Sequence, residues 1–170
     1  MIEVRIHGRG GQGAVTAAQL LAIAAFHDGK YAQAFPMFGV ERRGAPATSF
    51  VRISDKPIHV REQIYNPDYV LVFDPLLVEL VDAKKGLKEE MIVNTNEKME
   101  KGFCQDLTCK AMKIFGKPII NTLILGTFAG RTDIVTLEGL KKAIDQRFKG
   151  ELAEKNKQAI EESYNEAKSN

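Results

Sequence analysis

The sequence predicts a three-layer α/β/α domain, Rossmann-like, with a mixed but mostly parallel sheet that includes a hairpin. Short apolar segments typical of buried strands alternate along the chain with segments that have helical periodicity. The first predicted strand runs through a glycine-rich turn directly into a helix. The chain has 170 residues, of which 44% are hydrophobic, so it can bury a sizeable core without disulfides or metals. We therefore expect residues 1–170 to form a single domain.

The amino-terminal stretch predicts a strand, a glycine turn and a helix. Apolar and polar residues alternate over residues 2–6, as in a half-buried strand. Four of the six residues at 8–13 are glycine, which permits a tight turn and the close approach of a ligand to the backbone. Strong helix formers occupy residues 14–26, and Gly29 is a plausible helix stop. Unpaired amides and the positive end of the helix dipole would then make this turn an anion site, most often one for phosphate.

Two familiar kinds of phosphate loop do not fit this turn. The glycines match the dinucleotide pattern Gly8-x-Gly10-x-x-Gly13, but that pattern also needs an acidic residue about 20 residues further on. No carboxylate lies between Asp28 and Glu41. A P-loop needs lysine and then serine or threonine where Ala14 and Val15 stand. The turn is therefore neither that of a standard dehydrogenase nor that of a nucleoside triphosphatase.

The next segments predict more strands joined by loops. Residues 30–35 have strand character, and the punctuating glycines and prolines of residues 36–46 indicate a loop. Residues 48–53 and 57–61 predict a hairpin that turns at 54–56, although Pro57 restricts its second strand to an edge or a late start. This hairpin would make the sheet mixed.

The carboxyl-terminal half predicts a repeated alternation of strands and helices. Pro75, after a buried strand at 69–73, suits the first turn of a helix that ends near Asp82. Acidic Glu138 near the start and basic residues near the end favour a helix from Thr136 to Phe148 through the helix dipole. Residues 119–128 are apolar and are compatible with a helix or a buried strand. The remaining predictions are a strand at 91–94, a helix at 108–115 and a polar C-terminal helix at 151–168.

Composition and missing motifs exclude several functions. The 24 basic and 22 acidic residues nearly cancel, so net charge indicates neither a nucleic-acid nor a membrane partner. Cys104 and Cys109, without a signal peptide, fit a reducing, cytoplasmic setting. Two cysteines cannot hold an iron–sulfur cluster, and a zinc site from them and scattered histidines is a poor fit. No Gly-Asp-Gly motif for thiamine diphosphate occurs. The chain is predicted to bind rather than to catalyse by itself.

Arg42 and Arg43 are the most prominent cationic candidates for the predicted phosphate site. They lie in the loop after the second strand, which should arrive beside the glycine turn at the carboxyl ends of the strands. Guanidinium groups bind phosphate through paired hydrogen bonds. The alternative is a surface or subunit-contact pair held by Glu41.

Four motifs in order along the chain are similar to those of the gamma subunit of pyruvate:ferredoxin oxidoreductase and its relatives for other 2-oxoacids. The resemblance extends from Met1 to about Phe148. The Glu-Arg-Arg-Gly-Ala-Pro form resembles the pyruvate and branched-chain members more than the 2-oxoglutarate members. The motifs are Gly8-Arg-Gly-Gly-Gln-Gly13-x-x-Thr16-Ala-Ala, Phe35-Pro-x-Phe-Gly-x-Glu-Arg-Arg-Gly-Ala-Pro46, Phe73-Asp-Pro75 and Asn121-Thr-x-x-Leu-Gly126.

The resemblance implies a part in a larger enzyme that converts a 2-oxoacid and coenzyme A into acyl-CoA, carbon dioxide and reduced ferredoxin. It implies alpha, beta and delta partner subunits, with thiamine diphosphate and magnesium between alpha and beta and [4Fe-4S] clusters in beta and delta. No such cofactor is expected in this chain, which would contribute to the binding of coenzyme A and would direct its thiol at the intermediate on thiamine.

Carried over residue by residue, the resemblance implies a phosphate site at the glycine turn. The amides of Gly10, Gly11, Gln12 and Gly13 would hold the phosphates, Arg42 and less surely Arg43 would neutralise them, and the side chains of Gln12 and Asn121 would contact the nucleotide. Capping of the loop by Gln12, or of a helix by Asn121, is the alternative for each. The roles of His7, Arg9 and Asp74 stay open. So do two other functions, a purely structural subunit and a free-standing Rossmann-type oxidoreductase.

Overall fold

The computed structural model describes residues 1–37, 43–100 and 102–170. Over these residues the chain forms six strands and six helices. In chain order they are β1 (Ile2–Arg9), α1 (Ala14–His27), β2 (Tyr31–Pro36), β3 (Pro46–Ser54), β4 (Tyr69–Val72), α2 (Leu77–Leu80), β5 (Glu90–Asn94), β6 (Phe103–Gln105), α3 (Leu107–Phe115), α4 (Leu123–Thr132), α5 (Leu137–Arg147) and α6 (Gly150–Ser169).

The six strands form one mixed sheet in the order β2-β3-β1-β4-β5-β6. β1, β4, β5 and β6 are parallel to their neighbours in this half of the sheet. β3 is antiparallel both to β1 and to β2. The predicted α/β class with a mixed, mostly parallel sheet is confirmed.

The sheet contains an antiparallel hairpin, but it is formed by β2 and β3 and not by the predicted residues 48–53 and 57–61. Residues 57–61 form no strand, and the antiparallel partner of β3 is instead β2, which precedes it in the chain. β1 and β2 occupy both edges of β3, so no edge is left for residues 57–61, and Pro57 has no amide to donate. The chain after β3 covers the sheet instead, where the Glu62 carbonyl accepts from Arg52 Nη2 at 2.7 Å.

Three further segments differ from their predictions. The helix expected from Pro75 to Asp82 is only the short α2, flanked by turns. β6 was not predicted, because three residues are too few for an alternating pattern to be visible. The ambiguous segment at 119–128 becomes helical from Leu123, and the four residues before it lead into the helix.

The two faces of the sheet are covered unequally. One face buries the main apolar core beneath α1, α3, α4, α5 and α6. On the other face, β4 and β5 pack a smaller apolar cluster against α2 and the residues that follow it. The part of that face formed by β1 and β3 is polar and buried, with Arg5, His7 and Arg52 at or below 9% exposure. None of the helices in the described part of the chain is long and apolar enough to span a bilayer.

This topology brings four chain segments to one edge of the sheet. Because β1, β4 and β5 are parallel, the glycine turn, the Phe73–Asp74 corner and Asn94 all lie at their carboxyl ends. The β2–β3 connection returns to the same edge, since β2 ends where β3 begins. Carboxyl ends of parallel strands are where open α/β sheets bind their ligands.

Candidate functional site

The glycine turn presents the bare amino terminus of α1. Gly11 and Gly13 have φ values of 93° and 85°, a region that glycine enters without steric cost. Gly13 is the N-cap residue, and no side chain caps the helix. The first helical hydrogen bond runs from the Ala17 amide to the Gly13 carbonyl. The amides of residues 14–16 therefore have no acceptor within the helix, and they lie at the positive end of its dipole.

The turn does not offer the full row of amides predicted for Gly10 to Gly13. The Gly10 amide donates to the Ala45 carbonyl at 2.8 Å, and the Gln12 amide donates to the Arg9 carbonyl at 2.9 Å. Gly11 and Gly13 have no such acceptor among the described residues. The donors available to a ligand are thus Gly11 and Gly13, continued by the first turn of α1.

Gln12 holds the turn together through its side chain. Its Oε1 accepts a hydrogen bond from the Arg9 amide at 2.7 Å. This is the loop-capping role that was the alternative to direct contact with a nucleotide. Gln12 also lines the cavity described next, so capping does not remove the residue from the site.

A cavity of about 490 Å³ lies between the glycine turn and the segment that joins α3 to α4. Its lining combines backbone from the turn, apolar side chains and a few polar groups, and Lys117 brings a positive charge. The lining residues are Gly11, Gln12, Gly13, Phe73, Asn94, Thr108, Lys117, Pro118, Ile119, Ile120 and Asn121. The structure therefore brings Gly11, Gln12, Gly13 and Asn121 together from two separate motifs, while Gly10 lines a smaller adjoining cleft with Arg9 and Ala47.

Asn121 lies directly against the turn. A Cβ atom on Gly13 would come within 2.8 Å of Asn121 Nδ2, so a larger residue at 13 would have to displace this side chain. Asn121 is 8% exposed, and its Oδ1 atom is buried without a hydrogen-bond partner among the described residues. Buried polar atoms nearly always have a partner, so this carbonyl oxygen is poised to accept from a bound molecule or water. Asn121 does not cap α4, whose N-cap residue is Thr122.

The structure pairs Arg9 with groups of its own chain. Arg9 Nε donates to Asp74 Oδ2 at 2.5 Å, and Arg9 Nη1 donates to the Gly44 carbonyl at 3.2 Å. Asp74 Oδ1 also accepts from the Leu76 amide at 3.0 Å. Asp74 thus stabilises the turn that precedes α2 and pairs with Arg9, but it is not the N-cap of α2, which is Leu76.

Only one of the two predicted arginines lies within the described residues. Arg43 is exposed, in the turn that precedes Gly44. The Gly44 amide donates to the Gly10 carbonyl at 3.1 Å, which places Arg43 one residue from a direct contact with the glycine turn. Arg42 and Glu41 lie outside the described residues, so the phosphate role of Arg42 stays a prediction.

His7 lies behind the site in the buried polar face of the sheet. Its Nδ1 is 3.3 Å from Thr48 Oγ1, and its Nε2 has no partner among the described residues. Burial, reinforced by the positive charge of Arg5, lowers the pKa of His7 to about 4. The ring is therefore neutral at physiological pH and is part of the interior.

Sequence reasoning missed Asn94, Thr108 and Lys117 as lining residues. Asn94 Oδ1 accepts from the Leu107 and Thr108 amides, and its Nδ2 donates to the Phe73 carbonyl at 2.9 Å, so it ties β4, β5 and α3 together. An asparagine at the end of a predicted strand was the available signal. Lys117 follows the helix-ending Gly116, and nothing in the local pattern distinguishes it from other surface lysines.

The fold and the site define a class of protein, an α/β domain with an anion-accepting glycine turn at the carboxyl edge of its sheet. No group of three or more residues able to ligate a metal occurs in the described part of the chain. The sequence profile of the family described as "Pyruvate ferredoxin/flavodoxin oxidoreductase" matches residues 3–166. The chain therefore belongs to this family, as a gamma-type subunit of a pyruvate or related 2-oxoacid:ferredoxin oxidoreductase.

Individual relatives are similar to this chain over nearly its whole length. Pyruvate synthase subunit PorC of Methanocaldococcus jannaschii is 55% identical over 172 residues, which cover 98% of this chain and 97% of that one. The crystal structure of pyruvate oxidoreductase subunit PORC from Thermotoga maritima is 38% identical, with a TM-score of 0.85 over 96% of this chain and 95% of that one.

A more distant solved structure shares the fold. It is the 2-oxoglutarate:ferredoxin oxidoreductase from Magnetococcus marinus with 2-oxoglutarate, coenzyme A and succinyl-CoA bound. It is 19% identical, with a TM-score of 0.82, and the match covers 99% of this chain but 31% of that one. The fold described here thus corresponds to one part of a longer polypeptide.

Proposed function

We propose that this chain binds coenzyme A for the assembled oxidoreductase, with the pyrophosphate at the glycine turn. The acyl acceptor is then positioned for reaction in a neighbouring subunit. Holding a reactant in place lowers the barrier to its reaction even when the holding chain does none of the bond making. The chain also contributes to assembly of the complex, since it borders the site that its partners complete.

The observation on which the proposal rests is that one cavity is lined both by backbone amides without an acceptor and by a side-chain oxygen without a donor. The amides of Gly11 and Gly13 and the first turn of α1 suit phosphate oxygens. Asn121 Oδ1 suits a donor such as an amino or hydroxyl group. Coenzyme A carries both kinds of group, because its nucleotide has phosphates beside an aminopurine and a ribose.

The size of the cavity supports a ligand that is only partly enclosed. Its volume of about 490 Å³ falls within the range of about 300–1,000 Å³ usual for small-molecule pockets. A nucleotide end held here leaves a long acyl-carrying arm to extend beyond the chain. That arm is the part that has to reach a partner subunit.

Basic residues near the glycine turn support the binding of phosphate. Lys117 lines the cavity, and Arg43 lies in the loop joined to Gly10. Arg42 belongs to the same motif. Phosphate groups are bound most strongly where helix dipole, amides and charged side chains converge.

The remaining components of the enzyme belong to partners in this proposal. Alpha, beta and delta subunits, or a fused equivalent, would carry thiamine diphosphate, magnesium and [4Fe-4S] clusters, which supply the carbon chemistry and the electron transfer to ferredoxin. Pyruvate is the proposed oxoacid, in line with the names of the relatives.

Replacement of Asn121 by aspartate tests the proposal. The change keeps the shape of the side chain but sets a carboxylate against Gly13, where phosphates are proposed to bind. We expect the apparent KM for coenzyme A of the assembled enzyme to rise at least about tenfold, with a small effect on the KM for the oxoacid. Steady-state kinetics with each substrate varied in turn provides the measurement.

The matched control is Asn96→Asp, which adds the same charge at an exposed position outside the cavity. Isothermal titration of the complex and of the isolated chain with coenzyme A, NAD and NADP separates the proposed ligand from other nucleotides. Tight binding of NAD or NADP, or an unchanged KM for coenzyme A in Asn121→Asp, would show that the cavity serves another purpose.

A further inference from the structure

Three hydrogen bonds join the glycine turn to the end of the β2–β3 connection. The Gly10 amide donates to the Ala45 carbonyl, the Gly44 amide donates to the Gly10 carbonyl, and Arg9 Nη1 donates to the Gly44 carbonyl. In the first two, Gly10 donates to one residue of the connection and accepts from the residue before it, so both bonds join backbone to backbone. Arg43 directly precedes Gly44, so these bonds fix where the backbone of Arg43 lies relative to the glycine turn.

Arg9 is itself held from the other side by Asp74. The carboxylate accepts from Arg9 Nε through Oδ2 and from the Leu76 amide through Oδ1, so both oxygens are held in place. The side chains of Arg9 and Asp74 are 28% and 18% exposed. A charge-assisted hydrogen bond in such a partly buried place is stronger than one on an open surface. Asp74 follows β4, so the pair ties the connection to the rigid parallel half of the sheet.

We propose that Arg9 and Asp74 are positioning residues that hold the loop bearing Arg43 against the glycine turn and so set the affinity for coenzyme A. Together with Gly10, Gly44 and Ala45 they form a unit, here named the loop latch. This inference rests on the proposed function, because the ligand of the site is coenzyme A. Neither side chain is assigned a contact with the ligand.

The geometry distinguishes this role from direct binding by Arg9. Arg9 Nε donates to Asp74 and Arg9 Nη1 donates to the Gly44 carbonyl, so the guanidinium is oriented by groups of its own chain. A carboxylate beside the proposed phosphate site would be unfavourable by charge alone, so Asp74 is better explained by its hydrogen bonds to Arg9 and Leu76. If Arg9 were a direct ligand, removal of the Asp74 charge would free it and tighten binding. In the latch, the same removal loosens the loop and weakens binding.

The experiment therefore compares Asp74→Asn and Arg9→Gln in the assembled enzyme. We expect both variants to raise the apparent KM for coenzyme A about tenfold while kcat stays within about twofold, because the loop is displaced and the reacting groups are untouched. The double variant should be no worse than the poorer single variant, since both changes break the same unit. The matched control is Glu79→Gln, an acid-to-amide change in α2 that breaks only an exposed contact with Lys84.

A second measurement reports on the latch without any ligand. Hydrogen exchange of the Gly10 and Gly44 amides in the full chain should accelerate at least about tenfold in Asp74→Asn and Arg9→Gln, and should not change in Glu79→Gln. Unchanged exchange would overturn the latch, as would a lower KM for coenzyme A in Asp74→Asn or faster exchange with no change in KM. Failure of the proposed function appears separately, as an Asn121→Asp enzyme with unaltered KM for coenzyme A.

Discussion

At the scale of single residues, His7 makes stability depend on pH. A buried histidine that is neutral in the folded chain takes up its proton on unfolding, where its pKa is about 6.5. Its folded pKa is about 4, so the unfolded chain binds more protons between these two values. Stability is therefore complete above pH 6.5 and is lost as the pH falls from 6.5 towards 4. The two pKa values set an upper limit of about 3 kcal/mol for this loss.

The test of this prediction is urea unfolding at pH 7.0, 6.0 and 5.0. We expect His7→Gln to flatten the decline in the free energy of unfolding over this window, because glutamine does not titrate and can still reach Thr48. His59→Gln, at a position without such burial, should leave the slope as it is. Parallel curves for His7→Gln and the unchanged chain would assign the acid sensitivity to other groups.

The sequence identified the backbone of the site better than its side-chain contacts. Four glycines after an alternating strand have few structural alternatives, so the turn and α1 could be predicted, as could Asn121 through its motif. The use of the Gly10 amide within the protein could not, because its acceptor is the Ala45 carbonyl, whose position depends on tertiary structure. The pairing of Arg9 with Asp74 across 65 residues was hidden for the same reason.

At the scale of elements, the contact between α4 and α6 depends on two glycines one turn apart. A Cβ atom on Gly126 would overlap Ser163 Oγ and the Ile160 carbonyl oxygen, and one on Gly130 would come within 2.6 Å of the Tyr164 carbonyl oxygen. Ser163 Oγ donates to the Leu123 carbonyl at 2.7 Å, a bond that only a close approach permits. The two helices therefore pack nearly backbone to backbone.

We predict that Gly126→Ala destabilises the chain by about 2–3 kcal/mol, because overpacking would push α6 away from α4. Helix propensity alone would favour alanine by about 1 kcal/mol, so the sign of the change separates the two effects. Guanidinium unfolding followed by circular dichroism gives the comparison. A stabilised Gly126→Ala chain would mean that the helices are further apart than described.

Elements with local signals were predicted and those with distant partners were not. The residues of α1 are strong helix formers followed by Gly29, and α5 has its own N-cap in Thr136, whose Oγ1 accepts from the Gly139 amide. The partner of β3 depends on which strands the tertiary fold places beside it, and no local sequence pattern predicts this. α6 was predicted as a polar helix with a thin apolar stripe, and that stripe is present, since Ala159, Ile160 and Ser163 are fully buried.

At the scale of the whole molecule, Arg52 connects parts of the chain that are far apart in sequence. Its guanidinium, 1% exposed, donates to Glu3 on β1 at 2.9 Å, to Gln33 on β2 at 3.3 Å and to the Glu62 carbonyl at 2.7 Å. The ring of Phe35 lies 5.4 Å from its Cζ atom. One side chain thus joins both neighbouring strands to the segment that covers them.

Replacement of Arg52 by lysine should destabilise the chain by about 2–3 kcal/mol, even though the charge is kept. An ammonium group cannot reproduce three hydrogen bonds in different directions, and a partner left unpaired in the interior is costly. Thermal and chemical unfolding provide the measurement, with Arg61→Lys at an exposed position as the control. A loss no larger than that of the control would mean that water replaces the missing donors.

The fold class could be predicted because the alternation of strand and helix patterns extends along the whole chain. The family resemblance was expected to end near Phe148, whereas the family profile matches to residue 166 and so includes most of α6. The polar face of the sheet could not be predicted, since Arg5 and Arg52 alternate with apolar residues as solvent-facing residues do. Their burial follows from the chain after β3, which folds over them.

The register of β2 with β3 has a consequence for how such subunits can diversify. Six residue pairs lock the two strands from Tyr31 opposite Ser54 to Pro36 opposite Ser49, so the sheet does not depend on the length of the connection between them. Closing a somewhat longer connection adds little entropy cost. Insertions there would be tolerated by the scaffold and would begin and end beside the carboxyl end of β1. Evolution could then vary the surface beside the glycine turn by lengthening one connection while the sheet beneath it stays constant.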